Sequence, residues 1–131
     1  IFLIRWVFEK YDGIRGFWNP QTKTMYARTG RKLVLPQNVI DDMPQDLFLD
    51  GELWYVSSNS FILGLTKTTD RFGRDNFQEA AKIAHRMDSN KVDWKGFKYM
   101  VFDIPTSRGT YSERYNQLRI YLLPSLLFLL I

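Results

Sequence analysis

Hydrophobic and polar residues alternate in short runs through the first half of the chain, and turn-forming residues separate the runs. Residues 1–8 are apolar and rich in β-branched and aromatic side chains, the pattern of a strand. Asp12-Gly13 predicts a tight turn, because glycine tolerates positive φ. Residues 14–18 and 24–28 predict two more strands, with Asn19-Pro20-Gln21-Thr22 turning the chain between them and Thr29-Gly30 turning it again. Pro36 opens a short helix reaching about Met43, with the proline tolerated in the first turn. Residues 47–56 predict a strand interrupted only by Gly51, and residues 57–75 read as loop. Phe77, Ala80, Ala81, Ala84 and Met87 then recur at the spacing of a helix with one buried stripe, and Asp75 with Gln78 fits a capping box at its start. Residues 97–104 predict a strand stopped by Pro105, and residues 112–119 a helix. Strands dominate the first half without regular βαβ alternation, so the expected class is α+β with an antiparallel sheet.

A length of 131 residues fits one domain, long enough to bury a core without staples. Apolar residues at 45% and charged residues at 24% are ordinary for a soluble globular protein and argue against intrinsic disorder. The absence of cysteine excludes disulfides, a cysteine nucleophile and thiolate zinc sites. His85 is the one histidine, so any metal must rest on carboxylates, phosphates and water; within its predicted helix His85 reads as structural. The net charge of +4 permits an anionic partner such as a nucleotide or nucleic acid. The apolar start meets Arg5 at once and no uncharged run reaches spanning length, so an intracellular protein without a membrane partner is expected. The chain starts at Ile1 rather than Met, as a piece of a longer protein would. Residues 120–131 carry no charge and are broken by Pro124. They read as a buried strand, a partner-binding segment or the product of a truncated frame.

Three strings carry candidate chemistry. In Glu9-Lys10-Tyr11-Asp12-Gly13-Ile14-Arg15-Gly16, a lysine ends an apolar strand beside a glycine turn, and strand alternation can return Arg15 to the same cleft. A nearby cation and an apolar wall would favour the neutral, nucleophilic amine, which suits attack on a phosphate. Taken alone, the string fits equally an exposed lysine beside an ordinary hairpin turn. In Leu49-Asp50-Gly51-Glu52-Leu53, a strand would place Asp50 and Glu52 on one face, where they could hold a ribose hydroxyl or Mg²⁺. The same string fits two solvated acids at a strand end. In Tyr99-Met100-Val101-Phe102-Asp103-Ile104, an aromatic on a strand can stack on a purine while Asp103 faces the other way, although such runs are more often core.

In this order, the strings resemble motifs I, III and IIIa of the covalent nucleotidyltransferases, which comprise ATP-dependent DNA ligases, RNA ligases and mRNA capping enzymes. Lys10, Asp12, Gly13 and Arg15 complete K-x-D-G-x-R, and Asp50-Gly51-Glu52 matches the second motif. Tyr26-Ala27-Arg28-Thr29-Gly30-Arg31 looks like the element that follows motif I in DNA ligases, and residues 113–119 look like the arginine-bearing helix after motif IIIa. The wording around Lys10 is most similar to the ATP-dependent DNA ligases. The resemblance covers most of residues 1–119, the amino-terminal part of an ATP-grasp-like adenylation domain, and leaves residues 120–131 unmatched.

The resemblance implies a set of roles. Lys10 would attack the α-phosphate of ATP and carry AMP. Arg15 would contact phosphates, Glu52 the ribose or Mg²⁺, and Phe102 the adenine. Asp12 and Arg28 would lie toward nicked DNA. The activity implied is nick sealing in repair, recombination or replication, by a monomer, in the nucleus of a eukaryote. Phe8 stands where many DNA ligases carry a glutamate. After Phe102 no Glu-Gly pair follows, and no lysine follows Lys98, so motifs IV and V have no counterpart and these 131 residues alone are expected not to seal DNA. Two other readings stay open: an RNA ligase or GTP-using capping enzyme, and a non-catalytic nucleotide- or nucleic-acid-binding remnant. Thr29-Gly30-Arg31-Lys32 is not a P-loop, since the leading glycine and final Ser/Thr are lacking. Trp54 and Trp94 read as packing residues, and Arg71, Arg74, Lys82 and Arg86 as a solvated face.

Overall fold

Strict alternation along three neighbouring strands divides the sheet into an apolar and a polar face. In the computed structural model, which describes residues 7, 10–55, 81, 92, 94–122 and the backbone of 128–130, the strands are β1 (Ile14–Asn19), β2 (Thr24–Ala27), β3 (Lys32–Leu33), β4 (Leu49–Tyr55), β5 (Phe97–Asp103) and β6 (Phe128–Leu130). Among the described residues they form one sheet in the order β3-β2-β1-β4-β5-β6. Every pair is antiparallel except β5 with β6, which is parallel. The all-antiparallel expectation is corrected at this edge. A helix intervenes between β5 and β6, and such a crossover returns the chain in the same direction.

The helices are α1 (Gln37–Asp42) and α2 (Tyr111–Leu122). Val39 of α1 and Leu118 and Leu122 of α2 join one core cluster with Trp18, Met25, Leu49, Leu53, Phe97, Tyr99 and Val101 of the sheet. Both helices therefore cover the same face. The helix after Pro36 forms as expected, with Pro36 at its N-cap in extended conformation rather than in its first turn. Thr110 and Glu113 cap α2 reciprocally: Glu113 Oε2 accepts from the Thr110 backbone N–H at 2.6 Å, and Thr110 Oγ1 from that of Glu113 at 3.4 Å. These bonds hold the Glu113 carboxyl below its usual pKa. The helix runs through residue 119 to Leu122, so the start of the uncharged tail belongs to α2. There Leu122 is buried while Ile120 and Tyr121 are 74% and 56% exposed. No described helix is long and apolar enough to cross a membrane.

The first hairpin turns as expected, with Asn19 Oδ1 accepting from the backbone N–H groups of Gln21 at 2.9 Å and Thr22 at 3.3 Å. Gly30 has φ +81°, as its turn requires. Gly13 does not: its φ is not positive, and its need is space, because a Cβ there would collide with the Leu53 carbonyl. The predicted strand at 1–8 lies outside the described residues apart from Val7, which is exposed and not in a strand. The loop at 57–75 and the basic residues 71, 74, 82 and 86 lie outside them too, as does the helix near 75–87 apart from Ala81.

Tyr99 is buried beneath β1 and β4, and its hydroxyl reaches the carbonyls of Gly16 at 2.7 Å and Leu49 at 3.2 Å. A Cβ on Gly51 would lie 2.6 Å from the Met100 carbonyl oxygen and 2.8 Å from the Tyr99 ring. Tyr99→Phe should lower unfolding free energy by about 1–2 kcal/mol, the cost of a lost buried hydrogen bond. Gly51→Ala should cost more, about 3 kcal/mol, because backbone must move. Urea denaturation of both variants checks the order, and a Gly51→Ala variant as stable as wild type would contradict this packing.

Candidate functional site

The face of the sheet away from the helices collects the chemistry-bearing residues by alternation alone. Gly16, Leu49, Gly51 and Leu53 are buried toward the core side, so Arg15, Asp50, Glu52 and Trp54 fall on the other side. Pairing aligns Arg15 with Glu52 and Phe17 with Asp50 across β1 and β4. The β4–β5 register shifts between Asp50 and Gly51, pairing Asp50 with Asp103 and Gly51 with Val101. Phe102 is left as the extra residue of a bulge, a device that re-aims side chains.

Arg15 is held on two sides. Its Nε and Nη2 donate to Asp50 Oδ1 and Oδ2 at 3.0 Å and 2.6 Å, a bidentate pair, and its guanidinium carbon lies 5.4 Å from the Phe102 ring centroid. The bonds to Asp50 raise the Arg15 pKa above its ordinary value. The Nη1 hydrogens have no acceptor among the described residues. Asp50, read as a partner for ribose or metal, is instead the clamp on Arg15. The signal that could have found this is the pairing of β1 with β4, which sets an arginine and an aspartate on one face of adjoining strands.

Glu52 is half-buried, and its Oε1 accepts the Gly13 backbone N–H at 2.9 Å. Burial raises its pKa above the usual carboxylate value. The Gly13 bond, Arg15 and Lys10 act against that shift, and Asp12 acts with it. Lys10, Asp12, Gly13, Arg15 and Glu52 are thus one electrostatic neighbourhood. Lys10 differs from its expectation: its side chain is 91% exposed, and its Nζ lies 3.7 Å from Asp12 Oδ1. A solvated amine beside a carboxylate replaces the expected apolar wall and neighbouring cation.

Arg28 is exposed, one residue past Ala27, which pairs with Gly16 beside Arg15. Asp103 turns away from this face as expected. Its Oδ1 and Oδ2 accept from Nε and Nη2 of Arg114 on α2 at 2.7 Å and 3.1 Å. Trp94 packs on Phe97, with ring centroids 5.3 Å apart, and Trp54 meets Tyr11 edge to face at 5.0 Å. No group of three or more acidic or histidine side chains that could cage a metal occurs among the described residues. Glu52 Oε2 has no hydrogen-bond partner among the described residues.

No family model and no curated protein matches the chain. A solved structure of a Lig E DNA ligase, from a structure-function analysis of DNA binding with a minimal scaffold, shares the fold. The TM-score is 0.65 at 22% identity, over 93% of this chain and 41% of that one. The chain thus spans about two-fifths of the ligase it resembles.

The raised Glu52 pKa has a sign. Folding favours the protonated acid, so this contribution is fully present below the unfolded-state pKa and is lost as pH rises through the folded-state value. Glu52→Gln keeps an oxygen for the Gly13 N–H but removes the charge. Its stability relative to wild type should therefore improve between pH 3.5 and pH 7, as read by urea midpoints at the two pH values. A difference that is flat across this window would show that Glu52 is not desolvated.

Proposed function

We propose that this domain charges itself with AMP as part of an ATP-dependent DNA ligase. The observation that carries the reading is the assembly of Arg15 and Glu52 across β1 and β4, with the Lys10–Gly13 segment bonded directly onto Glu52. The fold shared with a Lig E DNA ligase supports DNA as the partner.

In this reading, Lys10 Nζ, as the free amine, attacks the α-phosphorus of ATP. A P–N bond forms, the α–β phosphoanhydride breaks, pyrophosphate leaves and the amine loses a proton to solvent. Arg15 offers its unused Nη1 hydrogens to the nucleotide, and Glu52 its free carboxylate oxygen to the ribose or to Mg²⁺. Mg²⁺ supplies charge stabilisation on the transferring phosphoryl group. Phe102 gives the base an aromatic surface. The AMP then passes to a DNA 5′-phosphate as the P–N bond breaks, and a 3′-hydroxyl displaces it. A second reading, binding without AMP transfer, is favoured by one observation: Lys10 is solvated beside an acid rather than desolvated.

Incubation with α-labelled ATP and Mg²⁺ separates the readings. Acid-labile label on the wild-type chain, absent from Lys10→Ala, is expected. Label that maps to another lysine would overturn the assignment, no label would leave binding without transfer, and label from GTP alone would move the reading to capping enzymes.

Phe102→Ala should weaken ATP binding about tenfold, from lost stacking and burial together. Titration calorimetry measures this, and an unfolding midpoint taken alongside should move little. A large stability loss with unchanged ATP affinity would make Phe102 a packing residue only.

A further inference from the structure

Phe102 is the one residue of β5 without a partner in the sheet. The β4 register passes from Val101 to Asp103 without it, and the β6 register ends at Val101. The extra residue of a bulge is left out of the ladder, so its direction must be set elsewhere. Here a helix supplies what the ladder leaves out. The Tyr111 hydroxyl, at the start of α2, donates to the Phe102 carbonyl at 2.7 Å. Burial raises the Tyr111 pKa further above neutrality, so the hydroxyl stays a donor. The residue after Phe102 is held from the same helix. Asp103 takes Arg114 in the bidentate pair described above, and its Oδ1 also accepts the Ile104 backbone N–H at 2.8 Å. Arg114 Nη1 donates to the Gly109 carbonyl at 2.9 Å, and its guanidinium carbon lies 5.5 Å from the Tyr111 ring centroid. One arginine thus touches the neighbour of Phe102, the end of the loop before α2, and the ring whose hydroxyl holds Phe102. The Phe102 ring itself meets the Arg15 guanidinium at 5.4 Å. The helix reaches its main chain, and the site reaches its ring.

We propose that Tyr111 and Arg114 are positioning residues for the nucleotide base: from α2 they fix the Phe102 main chain, and through it the angle of the ring on which the base stacks. The proposal rests on the nucleotide role given to Phe102 above but not on AMP transfer. Stacking depends on the offset and tilt of the two rings as well as on the area they cover. A Phe102 released from Tyr111 keeps its aromatic surface but loses its single orientation, and each binding event must then restore it. Neither Tyr111 nor Arg114 needs to touch the nucleotide for this effect.

The test is titration calorimetry of the full chain with ATP, under conditions where unfolding curves show every variant folded. Tyr111→Phe removes one oxygen and keeps the ring against Arg114. It should raise the ATP Kd about threefold, less than Phe102→Ala does, because the base keeps an aromatic surface. Arg114→Lys keeps the charge but not the fork, and should raise the Kd by a similar factor. Added to Phe102→Ala, Tyr111→Phe should change nothing more, because the ring through which it acts is gone. Arg119→Gln, an exposed charge farther along the same helix, should bind ATP as wild type does. Unchanged affinity in Tyr111→Phe or Arg114→Lys, with Phe102→Ala weakened, would overturn the positioning role and leave the nucleotide reading standing. An equal loss from Tyr111→Phe in the Phe102→Ala background, or an equal loss in Arg119→Gln, would overturn it as a structural effect that does not pass through the ring. No ATP binding by the wild-type chain, or wild-type affinity in Phe102→Ala, would remove the nucleotide reading and this proposal with it.

Discussion

The Tyr99 phenol is the constraint on which the sheet depends. Its one hydroxyl proton is shared between two carbonyls, one on β1 and one on β4, while its own backbone sits in β5. Three strands are thereby fixed at one point in a dry interior, where an unmet polar group would be costly. The ring needs room, and glycine on the neighbouring strands provides it: a side chain at Gly51 would meet the ring and the Met100 carbonyl, and one at Gly16 would meet the Met25 sulfur. The glycine of the Asp50-Gly51-Glu52 string is therefore structural. Because it must face inward, the acids on either side must face outward.

Two carboxylates of one spacing then acquire different duties. Asp50 is spent on Arg15, and that bidentate bond, with the Phe102 ring, holds the guanidinium in one orientation. Glu52 receives one backbone N–H and keeps acceptor capacity, in surroundings that disfavour its charge. Such an acid, once ionised, weakens the folded state at neutral pH. Asp103 completes the contrast. Two residues beyond the buried Val101, it locks Arg114 and the start of α2 onto the back of the same bulge that presents Phe102.

How much of this could be read in the chain depended on the range of the interaction. The strands beginning at Ile14 and Thr24, the Asn19 turn, the Gly30 turn and the helix after Pro36 are local, written in alternation and turn chemistry. The same-face placement of Asp50 and Glu52 follows from strand period alone. The Arg15–Asp50 clamp joins residues 35 apart and needs the β1–β4 register, which no local pattern encodes. The bulge at Phe102 and the parallel pairing of β6 are likewise products of pairing. Gly13 suits a turn, but what requires a glycine there is the Leu53 carbonyl in the neighbouring strand. Thr110-Tyr111-Ser112-Glu113 is a capping box in the sequence, and it starts the helix at Tyr111 rather than at residue 112.

Strand alternation along the string predicts a desolvated lysine, with Arg15 as the nearby cation. In the fold Arg15 is turned to Asp50, and among the described residues the charge at ion-pair distance from Lys10 is Asp12. The site is thus prepared unevenly. Its guanidinium and its carboxylate are positioned by strand pairing, while its amine stands in solvent 3.7 Å from the Asp12 carboxylate.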